Sequence, residues 1–313
     1  MKTLLLSLLL IGQAYAAWPD KALKFVVPYS PGGGADTAAR VVAQKLSEQL
    51  GQAIVIENKP GAGGTLGADA VAKAPADGYT LLFDASGFTV NGALRKLSYD
   101  PLKDFIPISL IVTAPQILAV PANSPYKNLG ELIAYAKVNP GKLSFGSSGT
   151  ATASHLVSEF LSIDNKIDML HIPYKGGAPA IADVLAGNIG FYFGNASTTL
   201  PHVNGGRLRA LAVSAKERMK ALPNVPTASE ALGREFEVLE WNGLWLPKGT
   251  PNEVVQRLAK EVQAVMADAK VRERFGQIGV NPMGNSPAEF ARYVEAEIRR
   301  WEAVVKTRGI KPD

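Results

Sequence analysis

Cysteine is absent from the 313 residues, which excludes disulfides, thiolate nucleophiles and cysteine metal sites together. Histidine is nearly absent: three occur, at positions 155, 171 and 202. His155 and Glu159 stand four apart, a spacing that can hold a metal. No third ligand completes a zinc set, however, so a packed or capping histidine is expected and no metal or other cofactor is assigned. The H-E-x-x-H, G-x-S-x-G and G-x-x-x-x-G-K-[ST] patterns are all missing. Charge is scarce and balanced, with 33 Lys and Arg against 28 Asp and Glu for a net +5. No basic run is interleaved with aromatics, which argues against a nucleic-acid partner. The longest apolar run, residues 4–12, falls well short of a bilayer-spanning helix of roughly 20 residues.

That run follows Met1-Lys2-Thr3 and precedes Ala14-Tyr15-Ala16. A basic start, an apolar centre and an Ala-x-Ala end read as a secretory signal peptide over residues 1–16, cut after Ala16. No cysteine follows to carry a lipid anchor, so an exported soluble protein is expected, stabilised by ordinary cores.

The mature chain is organised around one stretch. An apolar strand at residues 23–27 runs into Pro28-Tyr29-Ser30-Pro31-Gly32-Gly33-Gly34-Ala35-Asp36. Ala38, Val42, Leu46 and Leu50 then recur at helical spacing. Strand, glycine loop and helix N-terminus together form a receptor for an anion, above all a carboxylate; a tight turn without ligand is the alternative. Asp36 either caps the loop or holds Arg40 one turn later. Residues 58–67 carry a second glycine loop, and neither loop completes G-x-G-x-x-G, since Thr37 and Leu66 stand where glycine is required.

The same device recurs about 115 residues on. A strand at 143–145 feeds Gly146-Ser147-Ser148-Gly149-Thr150-Ala151-Thr152-Ala153-Ser154-His155, which opens onto another helix. Two donor-rich half-sites imply a cleft between two domains. Beside them lie Ser86 and Thr89 after a buried strand at 79–83, each a ligand donor or a helix cap, and Tyr174-Lys175-Gly176-Gly177-Ala178 after a strand at 169–173. Lys175 is the one cation in these loops. Residues 106–120 read as two β pieces separated by Ala114-Pro115, and residues 236–245 as a return to apolar and aromatic character. Thr250-Pro251-Asn252-Glu253 and Ser286-Pro287-Ala288-Glu289 each read as a capped helix start. No acidic cluster is visible, which supports an anionic ligand. Ser147 and Ser148 imitate nucleophiles without an assigned base; a hydrolase using them with His155 is the enzymatic alternative, and binding without catalysis is the expectation.

These segments carry a resemblance. With Glu57-Asn58-Lys59-Pro60-Gly61-Ala62-Gly63-Gly64, Tyr99-Asp100-Pro101-Leu102-Lys103-Asp104-Phe105, Pro173-Tyr174-Lys175-Gly176-Gly177 and Leu222-Pro223-Asn224-Val225-Pro226-Thr227, the chain resembles the solute-binding receptors of tripartite tricarboxylate transporters, the Bug or TctC-like family. The likeness spans the mature chain, with Gly190 where the family often has Asp. It implies an α/β periplasmic binding protein fold of type II, with residues 17–120 plus 240–313 as one domain, 121–239 as the other, a central interdomain cleft, and hinges near Val120 and Leu239. It implies a monomeric, non-enzymatic capture protein for a small organic carboxylate, a dicarboxylate or aromatic carboxylate being favoured, that docks on membrane permease subunits. A ligand-sensing role for a membrane kinase would use the same cleft. Carried onto this sequence, the ligand-binding residues are Tyr29, Pro31, Gly32, Gly33 and Asp36; Ser86 and Thr89; Ser147, Ser148, Thr150, Ala151 and Ser154; Tyr174, Lys175, Gly176 and Ala178; and Asn195, where ligand identity is decided.

Overall fold

A computed structural model describes residues 18–310; the signal segment at 1–16 lies outside the described residues. The chain begins as parallel α/β. Strand β1 (Leu23–Val27) enters helix α1 (Gly34–Leu50), followed by β2 (Ile54–Asn58), a 3-10 turn (Ala62–Gly64), α2 (Thr65–Ala72), β3 (Thr80–Ala85) and α3 (Gly87–Leu94). Helix α1 has the predicted stripe, with Ala38, Val42, Leu46 and Leu50 all buried. It stops at Gly51, whose φ of +67° lets its N–H close on the Ser47 carbonyl.

Strand β4 (Phe105–Pro121) is one continuous element of 17 residues, not two pieces. The Ala114-Pro115 break in the sequence marks a change of partners instead. Residues 105–115 pair antiparallel with β9 (Leu239–Pro247), and residues from Gln116 onward pair with β7 (Phe191–Asn195) and, from Ile117, with β8 (Leu208–Val213). Between these come α4 (Leu129–Val138), β5 (Ser144–Ser147), α5 (Ala153–Asn165), β6 (Leu170–Pro173), α6 (Gly177–Ala186) and α7 (Ala196–Asn204), with α8 (Ala228–Leu232) after β8. The chain closes with α9 (Asn252–Ala267), α10 (Ala269–Gln277), β10 (Asn281–Pro282) and α11 (Pro287–Arg308).

The strand order β2-β1-β3-β9-β4-β7-β5-β6 therefore divides at β4 into two α/β lobes. Phe25, Phe83, Leu246, Leu258 and Phe275 pack one face of the first sheet against α1, α9 and α10. Trp241, Trp245, Phe88 and Phe290 fill the other face, with the Phe88 and Trp245 rings 4.6 Å apart. The second lobe has its own core around Phe145, Leu156, Phe191 and Phe193, and α11 adds Trp301 and Val305 to it. At Ser286 the expected capping box forms. At α9 it does not: Pro251 takes the cap position and the Thr250 hydroxyl turns back to donate to the Pro247 carbonyl at 2.9 Å.

Candidate functional site

The loops that leave β1, β3, β5, β6 and β7 all sit at the carboxyl ends of their strands and face one another across the two lobes, where open α/β sheets hold ligands. They line a small cavity of about 30 Å³, above the roughly 10–15 Å³ that one water needs. Its walls include the N-terminal residues Gly33, Gly34 and Ala35 of α1, Gly177 at the start of α6, and Asn195, the cap of α7. Ser148, Tyr29 and Tyr192 complete the walls, and Ala85, Gln116, Glu240 and Asn242 form the floor. A wider groove of about 870 Å³ runs along α1 and α10, lined by charged side chains such as Arg40, Lys45, Lys270 and Asp268. We place the candidate site in the smaller cavity, because the starts of α1, α6 and α7 meet there with Ser148 and the buried polar groups Gln116, Glu240 and Asn242.

Asp36 builds the first loop and is 2 % exposed. The Gly32 N–H donates to its Oδ2 at 2.9 Å; Arg40 donates to both oxygens at 2.9 and 3.0 Å, and Asn58 Nδ2 to Oδ1 at 2.9 Å. Both sequence readings of Asp36 therefore hold at once: it fixes the loop and it pairs with Arg40. Burial works against its charge, yet the Arg40, Gly32 and Asn58 hydrogen bonds outweigh burial and hold its carboxyl below the usual aspartate range. Asn58 also donates to the Tyr29 carbonyl at 3.0 Å, tying β2 to the same loop.

The second loop is built from hydroxyls. Ser148 N–H donates to Ser154 Oγ at 2.8 Å, and the two hydroxyls are 2.9 Å apart. Thr152 Oγ1 donates to the Gly149 carbonyl at 2.6 Å, and the Ala151 N–H to His155 Nδ1 at 3.3 Å. Ser147 is fully buried, and its Oγ lies 2.7 Å from Nε2 of His171, not His155. The His155 and His171 rings stack with centroids 4.3 Å apart. These groups lock the loop from beneath, and the serine that lines the cavity, Ser148, is held by another serine and not by a base.

The lobes touch through backbone. Ser30 N–H donates to the Lys175 carbonyl at 2.9 Å. At Gly176 (φ +143°) a Cβ would lie 2.3 Å from Ser30 Oγ, and at Gly63 (φ +64°) 2.2 Å from the Thr150 carbonyl. The loops meet this closely because glycine removes the side chain at the points of contact.

The floor corrects the expectation that no acids gather here. Asp84 and Glu240, 156 residues apart in sequence, are 1 % and 7 % exposed. Glu240 Oε1 accepts from Ser86 N–H at 3.0 Å, Ser86 Oγ at 2.6 Å and Trp241 N–H at 3.1 Å. Burial raises its pKa against those three donors. Burial, with the Glu240 charge adding to it, pushes Asp84 up to about 7, while the Ala85 N–H at 2.7 Å pulls the other way. Burial pushes the hydroxyls of Tyr29 and Tyr192 far up, helped by Asp84 and Glu240 at Tyr29 and by Glu240 at Tyr192, so both stay protonated and able to donate.

Of the residues named from sequence, Tyr29, Gly33, Ser148 and Asn195 line the cavity. Pro31, Gly32 and Asp36 face the outer groove, and Gly32 and Ala178 share a crevice between α1 and α6. Ser148, Tyr174 and Lys175 line a small opening beside Gly61–Gly64, and Tyr174 donates to Asp183 Oδ2 at 2.5 Å. Ser86 supports Glu240, and Thr89 donates to the Ser86 carbonyl at 2.9 Å and faces a separate crevice. Ser147, Ala151 and Ser154 are buried in the frame of the second loop, Thr150 sits against Gly63, and Gly176 is the contact with Ser30. Sequence reasoning missed Tyr192, Gln116, Glu240 and Asn242. For Glu240 and Asn242 a signal exists: two polar residues two apart in an otherwise apolar strand mark one polar face.

Comparison with known proteins fits this geometry. The family described as tripartite tricarboxylate transporter family receptor matches residues 38–310. The periplasmic binding protein BugD superposes with a TM-score of 0.91 at 36 % identity, over 94 % of this chain and 99 % of that one. The R. palustris Rpa4515 protein, solved with adipate, gives 0.91 at 36 % identity over 95 % and 100 %. MatC from Rhodopseudomonas palustris, solved with bound malate, gives 0.88 at 34 % identity over 92 % and 100 %. The two lobes are those of a type II periplasmic binding protein, a fold whose members in this family bind solutes and do not catalyse. The chain belongs to the TctC family, the receptors of tripartite tricarboxylate transporters.

Proposed function

We propose that this receptor captures a small organic carboxylate between its lobes, a dicarboxylate or aromatic carboxylate being the favoured class, and presents it in the closed form to a tripartite tricarboxylate-type permease. The observation that carries this reading is the convergence of the α1, α6 and α7 N-termini on one cavity from both lobes. The first N–H groups of a helix have no intrahelical acceptor, and the helix dipole favours negative charge at that end. Several preorganised neutral donors can then replace a carboxylate's water shell without an ion pair. The relatives solved with adipate and with malate support the same class.

Tyr29, Gly33, Ser148 and Asn195 are the predicted contacts, joined by Gly34, Ala35, Gly177 and Tyr192; the remaining loop residues shape the walls. The lobes are assigned as residues 17–120 plus 240–313 and 121–239, with flexing near Val120 and Leu239, on either side of the point where β4 exchanges β9 for β7. A thermal-shift screen of carboxylates against their amides tests the reading. At a hundredfold excess over Kd, a ligand that binds only the folded state adds about 2.7 kcal/mol, read as a rise of several degrees in Tm. Equal or greater stabilisation by the amides would overturn it.

A further inference from the structure

The cavity has two chemically different halves. The walls carry donors, as described. The floor carries acceptors, and no cationic side chain lines the cavity among the described residues. Glu240 and Gln116 lie on one face of the sheet: Glu240 stands opposite Ala114 in the β4–β9 register, and Gln116 is two residues further along β4. Such diagonal neighbours sit within reach of a common group. Gln116 is 1 % exposed, and its Oε1 is buried with no hydrogen-bond partner. Three protein donors already converge on Glu240 Oε1, so Oε2 is the oxygen left for the cavity that the residue lines. A buried acceptor left unmade is costly, and a carboxylate more so. A ligand carboxylate placed on this floor would meet like charge, so it belongs at the helix N-termini.

We propose that Glu240 and Gln116 form a specificity subsite that accepts a hydrogen bond from an O–H or N–H donor carried on the ligand's carbon skeleton, so that hydroxy- or amino-substituted carboxylates are selected over their unsubstituted parents. The inference rests on the carboxylate reading above and narrows it. Relatives solved with adipate and with malate leave the substituent open at the level of the family. In this chain the pair of floor acceptors decides it.

Calorimetry on the mature protein with matched series tests this: succinate, malate and aspartate; adipate, 2-hydroxyadipate and 2-aminoadipate; phenylacetate, mandelate and phenylglycine. A hydrogen bond to a charged group predicts at least tenfold tighter binding of a substituted member in the best-fitting series, and comparison of hydroxy with amino members identifies the donor. Glu240→Gln keeps the Oε1 acceptor for Ser86 and Trp241 but turns the cavity-side atom into a donor, so the preference is expected to vanish or reverse. Gln116→Leu, monitored for an unchanged Tm, is expected to reduce it several-fold. Parents that bind as tightly as substituted members overturn the subsite while leaving the carboxylate reading intact. So does a preference that survives in both variants. A panel in which acids bind no better than their amides overturns the carboxylate reading and this inference with it.

Discussion

Asp84 on β3 and Asp36 on α1 are two buried aspartates of the first lobe, with opposite relations to their surroundings. Asp36 is surrounded by donors and a guanidinium, so its charge is favoured in the folded chain, and the stability it contributes is lost on acidification through its depressed pKa. Asp84 lies with Glu240 beneath the cavity, and burial raises it from the usual 3.8 to about 7. Between those values the folded chain holds a proton that the unfolded chain has released, so this group's contribution falls as pH rises through that window and stays at its least favourable above it. Each pH unit of that window amounts to about 1.4 kcal/mol, which gives a total on the order of a few kcal/mol. Asp84→Asn keeps an oxygen to accept the Ala85 N–H and removes the titration. Its thermal midpoint is expected to exceed that of the wild type by several degrees at pH 8, with the advantage shrinking steadily toward pH 5. Thermal unfolding of both proteins across that range checks it; an advantage of the same size at pH 5 and pH 8 would show that Asp84 does not titrate there.

The turn after β6 shows how an element's backbone governs closure. Gly176 has φ +143° and presses against Ser30, where an added Cβ would lie 2.3 Å from Oγ and 2.9 Å from the N–H that bonds Lys175. Alanine here strains the backbone and pries the lobes apart at their hydrogen-bonded contact. Gly176→Ala is expected to weaken ligand binding by more than tenfold, and small-angle scattering is expected to show no compaction on adding ligand. Wild-type affinity in this variant would mean that the Ser30–Lys175 contact plays no part in holding the ligand. The glycine loops, the helix stripes and the Ser286 cap were legible in the sequence because each is written within a dozen neighbouring residues. The floor was not. Asp84 and Glu240 meet only because β3 and β9 pair antiparallel in one particular register, and that register follows from packing Trp241 and Trp245 against Phe88 and Phe290. Pro115 misled for a related reason. It reads as a strand break, yet it falls where β4 exchanges β9 for β7 and the missing N–H is tolerated.

At the scale of the whole molecule, the lobes enclose a space of about 30 Å³ while the proposed ligands are several times larger than water. Binding is therefore expected to run through an opened arrangement, with the ligand shifting the population toward closure by its differential affinity for the closed form. The absence of cysteine offers a direct test, since introduced thiols have no native partners with which to mispair. A Cβ at Gly32 would lie 3.8 Å from that of Ala178 on the opposite lobe, the usual separation across a disulfide. Gly32 has φ +76°, so cysteine there carries a backbone strain of about 1–3 kcal/mol, and the single Gly32→Cys protein is the control for it. In the Gly32→Cys/Ala178→Cys protein, oxidation without ligand is expected to abolish uptake, and reduction to restore it. Oxidation after loading is expected to trap the ligand through repeated dilution. Stopped-flow or filter-binding measurements distinguish these states. Uptake by the oxidised protein at the rate of the reduced one would mean that the solute enters without separation of the lobes.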